Sequence, residues 1–376
     1  MSNVHCEKAG SLTKEEKRVF TDHLERQGLS DNVWDLFAEW VARSTPAVRF
    51  FYLKVYVDAE LVGLGLLLRM KPFDLRSSYS TLRTHVFLNR LAGRLSALMR
   101  NCVYVSFRNL ITSNLTRPFF YSEPGREHMI MKAILGSLKE EKEADMITII
   151  DTATNDRLYQ TEGFCKYPCS SEAYLDAAKY KDISEYLREH PSLKRNLSRR
   201  KGVVVTTVQR GPMSDHDKGQ MKTCVECSVE NSRVNNPCQK FFEEHVFETE
   251  VFNSDKYIHI CTRVDEKIAG FHTFQVSGSH MGGVLGGFNR EYSQNHFLYE
   301  RVIVASLDYA IKNDIRWVHY SLIDNQTKLR LVESIEPCGL YFFSRSALNR
   351  RVFALSYKAS DVYALHLLET QPDARC

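Results

Sequence analysis

The segment LKRNLSRRKGVVV, residues 193–205, concentrates charge in a pattern that implies a ligand. Lys194, Arg195, Arg199, Arg200 and Lys201 fall within eight residues. On a helix Arg195 and Arg199 share one face and Lys194 and Lys201 another, so the charge wraps the axis. A solvated helix normally interleaves acidic partners three or four residues away. Between residues 191 and 210 there are none, and Arg188, His190 and Arg210 extend the patch. Phosphate groups need only proximity and charge, and they are the ligands such a cluster suits; a solvated surface is the alternative.

Cysteine chemistry is the other spacing to weigh. Cys224 and Cys227 form a CxxC, with Cys238 and His245 downstream. A structural zinc site wants four well-spaced ligands, usually with a second tight pair. CVECSVE also reads as one turn of an amphipathic helix, and no metal is expected. Cys165 and Cys169 are spaced wider, with Pro168 between them.

The 376 residues carry 50 Lys+Arg against 46 Asp+Glu, a net charge of +4, too mild for a general nucleic-acid or membrane binder. Any anion site must come from local clustering. The first twenty residues hold no apolar core of signal-peptide length. The longest apolar run, Leu61–Leu68, falls far short of the roughly 20 residues of a membrane span. A cytoplasmic protein with no membrane span and reduced thiols is expected. No GxSxG, Walker loop or dinucleotide glycine fingerprint occurs.

The elements that position these residues repeat. Residues 12–43 read as helical, opening on a capping box, Thr13 with Glu16, and placing Val33, Leu36, Phe37 and Trp40 on one face. FYLKVYV–DAE–LVGLGLLL then predicts a hairpin. The pattern returns at residues 257–276, with VDAELVG (57–63) aligning on VDEKIAG (264–270). REHMIMKAILGSLKEEKEADMITIID and YERVIVASLDYAIKNDIRWVHYSLID each predict an amphipathic helix and then a strand, ending at Asp151 and Asp324. The second helix aligns Ile303, Leu307, Ala310 and Ile311. The expectation is therefore two domains of one fold. Residues 1–180 form the first, with a helical insert at about 72–100. Basic connecting helices occupy 181–202, the second domain 203–365, and a flexible tail 366–376.

A D-x-K-I-A-G hairpin, a glycine-rich strand end, a helix and a strand resemble the GCN5-related N-acetyltransferase (GNAT) superfamily. Two copies joined by the basic passage resemble its tandem branch, which includes the Fem-type aminoacyl transferases. The resemblance spans residues 45–355 and is densest between Lys267 and Phe343. It implies an α/β (α+β) protein of two tandem GNAT-like domains, each a mixed, mostly antiparallel sheet flanked by helices. It also implies an N-acyltransferase in which an amine attacks the donor carbonyl directly, in a gap between two splayed central strands. The donor would be an acyl-CoA thioester, or alternatively an aminoacyl-tRNA whose phosphates meet the basic cluster. No cofactor would be tightly bound, and the acceptor would be a small-molecule or peptide amine. GNAT proteins using acetyl-CoA carry an Arg/Gln-x-x-Gly-x-Gly/Ala loop before the helix. Here the glycines of HMGGVLGGFNREYSQNHFLYER precede it. A non-catalytic binding protein on a degenerate GNAT fold is the remaining alternative.

On this resemblance, Tyr320 and Asp324, four apart at a strand end, would serve as base and donor, and Lys328 would neutralise an oxyanion or a phosphate. In tandem relatives a lysine often follows this strand, which singles out Lys328. Gly286, Gly287, Asn289 and Arg290 would line the substrate cleft, with Glu300 at the helix start, where a carboxylate also simply caps. Tyr299 and His272 are further catalytic candidates, each with packing as the plainer reading. The second copy is expected to keep the chemistry.

Overall fold

The computed structural model describes residues 3–71, 102–105, 118–141, 144–169, 171–198, 203–232, 237–322 and 326–358. The expected insert and tail lie outside them.

Two hairpins set the architecture. In the first, β2 (Val48–Val57) and β3 (Glu60–Met70) join through Asp58 and Ala59, with φ of 49° and 71°. In the second, β10 (Tyr257–Val264) and β11 (Lys267–Ser277) join through Asp265 and Glu266, at 49° and 65°. Two consecutive left-handed residues match the right-handed twist of paired strands. Both hairpins also slip register at equivalent points, leaving Val62 and Ala269 as the extra residues. Gly63 and Gly270 follow. A Cβ on Gly63 would lie 2.2 Å from Ile130 Cγ2, and one on Gly270 2.6 Å from Phe288 Cδ1. The sequence repeat is thus a structural repeat, down to the bulge.

Each hairpin anchors one sheet. The first sheet runs β1 (Val4–Ala9), β2, β3, β4 (Cys102–Val105), β6 (Met146–Thr152), β15 (Cys338–Phe343), β7 (Cys165–Pro168), with β5 (Phe119–Tyr121) also on β3. The second runs β14 (Ser334–Glu336), β8 (Glu172–Asp176), β13 (Trp317–Leu322), β12 (His280–Phe288), β11, β10, β9 (Val204–Arg210). Pairing is antiparallel except at β4–β6 and β12–β13. Both sheets are flanked by helices, as expected.

The last strand of each half crosses to the other sheet. β8, from the first half, sits between β13 and β14; β15, from the second, sits between β6 and β7. The links explain it. Only Pro337 separates β14 from β15, and a hairpin reversal needs two residues. The chain runs straight on, and Tyr341 of β15 stacks on Tyr159 of the first half at 3.9 Å. The expected boundary at 180/181 therefore does not separate the sheets.

The predicted local signals appear. Thr13 and Glu16 cap each other's backbone amides. Val33, Leu36, Phe37 and Trp40 are buried, and Trp40 packs on Phe241 and Phe242 of the second half. Helix Leu298–Lys312 buries Ile303, Leu307 and Ala310 on one face of the second sheet, while Ile311 is half-buried. Helix Asp215–Ser232, which carries Cys224 and Cys227, covers the other face. Cys224 donates to the Ile268 carbonyl at 3.3 Å, and burial pushes its thiol up to about 12, so it stays protonated. Among the described residues no helix is long and apolar enough to cross a membrane.

Candidate functional site

The second sheet parts between β12 and β13. Their parallel ladder joins His280 to Trp317, Met281 to Val318 and Gly282 to His319; past these no further pair joins the two strands among the described residues. β12 also bulges at Val284, where the register against β11 shifts. A bulge re-aims the residues beyond it, here Leu285, Gly286 and Gly287.

Gly286 pairs with His272 of β11, so both face the side covered by helix Leu298–Lys312. Gly286 and the His272 ring are half-buried, yet His272 Nδ1 is fully buried and has no hydrogen-bond partner among the described residues. Lys328, on helix Gln326–Leu331 after β13, is 3% exposed. Its ammonium acts on His272: burial first, and the Lys328 charge second, hold the imidazole down to about 3. His272 thus faces Gly286 and feels the charge of the buried Lys328. At neutral pH its imidazole is uncharged. Such an imidazole is too weak a base to deprotonate an amine, which corrects the base role considered for His272. It can orient a ligand by hydrogen bonding.

Tyr299 and Glu300 lie in the first turn of helix Leu298–Lys312, which covers this face of the sheet. Tyr299 sets its ring edge-on to Phe288, at 5.5 Å. Burial raises the Glu300 carboxyl above its ordinary range, against the opposing pull of Arg330 and Arg301. A carboxylate moved that way becomes a better proton acceptor near neutrality. Arg301 donates to the Leu197 carbonyl at 3.0 Å, tying this helix start to helix Pro191–Ser198, where Leu193 is buried and Lys194 and Arg195 are exposed. Arg199, Arg200 and Lys201 lie outside the described residues, as does Asp324.

Four expected site residues are placed elsewhere. Tyr320 faces the core: it is 1% exposed, its hydroxyl is 2.6 Å from Ser306 Oγ, and burial raises its pKa further from use as a base. Gly287 points to the opposite side of β12 from Gly286. A Cβ there would sit 2.7 Å from Val225 N and 2.8 Å from Cys224 C, so its task is to let helix Asp215–Ser232 lie on the sheet. Asn289 caps helix Arg290–His296 by accepting from Glu291 N at 3.0 Å, and Arg290 is exposed on that helix. Asp151 accepts from Thr152 N, Asn155 Nδ2 and Tyr159 OH, a filled structural carboxylate at its strand end. Sequence reading passed over Arg330, although it lies two residues beyond Lys328 in TKLR.

No protein-family model matches the sequence, and no curated protein matches it. Solved structures do match. A tandem GNAT protein from the clavulanic acid biosynthesis pathway superposes with a TM-score of 0.54 at 12% identity, covering 92% of this chain and 99% of that one. FemX gives 0.53 at 12%, covering 93% and 100%. L-PGS from Bacillus licheniformis gives 0.53 at 10%, covering 92% and 95%. At these identities the likeness is one of fold, and it spans nearly the whole of each chain.

Proposed function

We propose that this chain, which has the duplicated fold of tandem GNAT proteins, is an N-acyltransferase whose chemistry lies in the second sheet. The observation that carries the reading is the parting of β12 and β13 beside Gly286, which pairs with His272 under the influence of the Lys328 charge. An acyl carbonyl laid along β12 at Gly286 would direct its oxygen to the Lys328 ammonium. The amine attacks: its N–C bond forms, the bond to the leaving group breaks, and the nitrogen's surplus proton passes to Glu300. His272, held neutral, positions the acceptor. No covalent enzyme intermediate is required, and the rate enhancement comes from positioning and electrostatics.

The donor is an acyl-CoA thioester in this reading. A second reading, aminoacyl transfer from tRNA, is favoured by one observation. Exposed Lys194 and Arg195 stand on the helix that Arg301 ties to the start of Leu298–Lys312, so an external phosphate backbone would reach the cleft. Transfer to a peptide or small-molecule amine, assayed with CoA thioesters and with aminoacyl-tRNA before and after RNase, separates the two. Lys328→Met should lower kcat by about 10²-fold or more with the fold intact, the scale seen when one oxyanion-stabilising group is removed. Unchanged turnover in that variant would refute the mechanism. No turnover with either donor would instead favour a binding protein on this fold.

A further inference from the structure

A cavity with a basic lining lies in the first half, remote in sequence and sheet from Gly286. It measures about 550 Å3 and opens where β1 stops at Ala9 and leaves the start of β2 at the sheet edge. Volumes of roughly 300–1,000 Å3 are those of small-molecule sites. Arg49 and Arg69 are directly opposite one another on β2 and β3, so their side chains leave the same face. Lys8 pairs with Leu53, which stands on that face too, and its ammonium lies 5.5 Å from the Phe51 ring. Lys17, from helix Lys14–Arg18, completes the basic lining.

Like charges directly opposite across a strand pair repel. Here the compensation is thin. Glu141, capping helix Glu127–Glu140, is the one carboxylate of the lining; it reaches Lys8 at 2.7 Å and Arg69 at 4.0 Å. Neither Lys17 nor Arg49 meets a carboxylate among the described residues. The lining sets four cations against one carboxylate. A monocarboxylate supplies one negative charge; a phosphate monoester supplies roughly 1.5 to 2, with three acceptor oxygens suited to guanidinium groups. The lining also holds apolar groups, Leu12, Val41 and the Phe51 ring, and the hydroxyls of Ser11 and Ser44.

The geometry points to a binding site for an organic phosphate, with the phosphate between Arg49, Arg69 and Lys17 and the organic part against Phe51. The site is independent of the transfer chemistry at Gly286. The test is calorimetry on the full chain at low ionic strength, with phenyl phosphate, inorganic phosphate and phenol. Phenyl phosphate should bind more tightly than inorganic phosphate, and phenol should not bind. The double variant Arg49→Gln, Arg69→Gln should weaken phenyl phosphate at least about tenfold, the scale of losing charge-assisted hydrogen bonds. Because that variant removes a repulsive pair, its thermal melt should be no lower than that of the wild type. Sedimentation with phosphatidate vesicles decides the source: phosphatidate-dependent, variant-sensitive binding would place the phosphate on a lipid headgroup, and its absence on a soluble molecule. Absent binding at millimolar phenyl phosphate, or equal binding by wild type and variant, would overturn the proposal.

Discussion

Gly286 and Gly287 are adjacent and chemically identical, yet the structure gives them opposite tasks, and alanine at each should separate those tasks. At Gly287 the added carbon would meet Val225 N at 2.7 Å, Cys224 C at 2.8 Å and Cys224 O at 3.0 Å, all backbone. Comfortable contact between such atoms is about 3.5–4.0 Å, so the helix would have to withdraw by roughly 0.5–1 Å. Two bonds resist that: Cys224 Sγ to the Ile268 carbonyl, and Phe288 N to Ser228 Oγ at 3.0 Å. Overpacking of this kind costs about 1–3 kcal/mol, and the relief of replacing a strand glycine returns about 0.5–1 kcal/mol. Gly287→Ala should therefore lose about 1–2 kcal/mol, read as a lower urea midpoint. At Gly286 the nearest atoms are the Phe271 carbonyl oxygen at 3.3 Å and the His272 ring at 3.4 Å. A shift of a few tenths of an ångström accommodates the methyl, and the strand gain offsets its cost. Gly286→Ala should keep the wild-type midpoint and lose transfer activity, because the methyl occupies the space beside the His272 ring where the proposed carbonyl lies. Equal destabilisation in the two variants, or a fully active Gly286→Ala, would refute the assignment of faces on which the site rests.

Three further outcomes are expected. His259 is fully buried beside Phe252, and burial holds its imidazole down to about 4. Between that value and the ordinary 6.5 the unfolded chain binds a proton that the native state refuses, so its contribution is complete above about 6.5 and is lost as pH falls towards 4. The loss amounts to about 3 kcal/mol, and His259→Gln should flatten the urea midpoint between neutral pH and pH 4 by that amount; an equal decline in both proteins would contradict it. Tyr320→Phe should cost about 1 kcal/mol through the bond to Ser306 while kcat holds, since the hydroxyl lies in the core; a large fall in kcat would return Tyr320 to the chemistry. Ala59→Gly and Glu266→Gly should each raise the melting temperature, because a non-glycine residue at positive φ costs about 1 kcal/mol; a lowered temperature at either position would tell against the turn geometry.

Much of the fold was legible because its signals are local. Alternating apolar residues around DAE and DEK predict hairpins, and hairpins form there. Strand exchange was not legible, since a strand buries the same pattern whichever sheet receives it. The one hint was Pro337, too short a link for β14 to fold back on β15. The site was half legible. A spacing of four puts Tyr320 and Asp324 on one face of a strand, but spacing does not say which face meets the core. Val318 and Tyr320 fill it together. A glycine pair likewise hides which member faces a helix and which faces an opening.

The two copies differ at one cross-strand pair, and that difference is what favours placing the proposed chemistry in the second. The hairpin registers make Gly65 of β3 the counterpart of His272 of β11: Leu53 opposes the one, Ile260 the other, at the same distance past the bulge. The next strand completes the comparison. Gly65 faces Phe119 of β5, whereas His272 faces Gly286 of β12. The same pair is therefore glycine with phenylalanine in one copy and histidine with glycine in the other. In the first copy Phe119 is 3% exposed, and it and Ile134 come within 3.7 Å of where a Gly65 side chain would begin, so the space under the helix is apolar and closed. In the second copy the bulk has moved to β11 and become polar, and the strand bordering the gap has been stripped to backbone. Exchanging large for small between two facing positions thus removes the side chain from the strand that borders the parting.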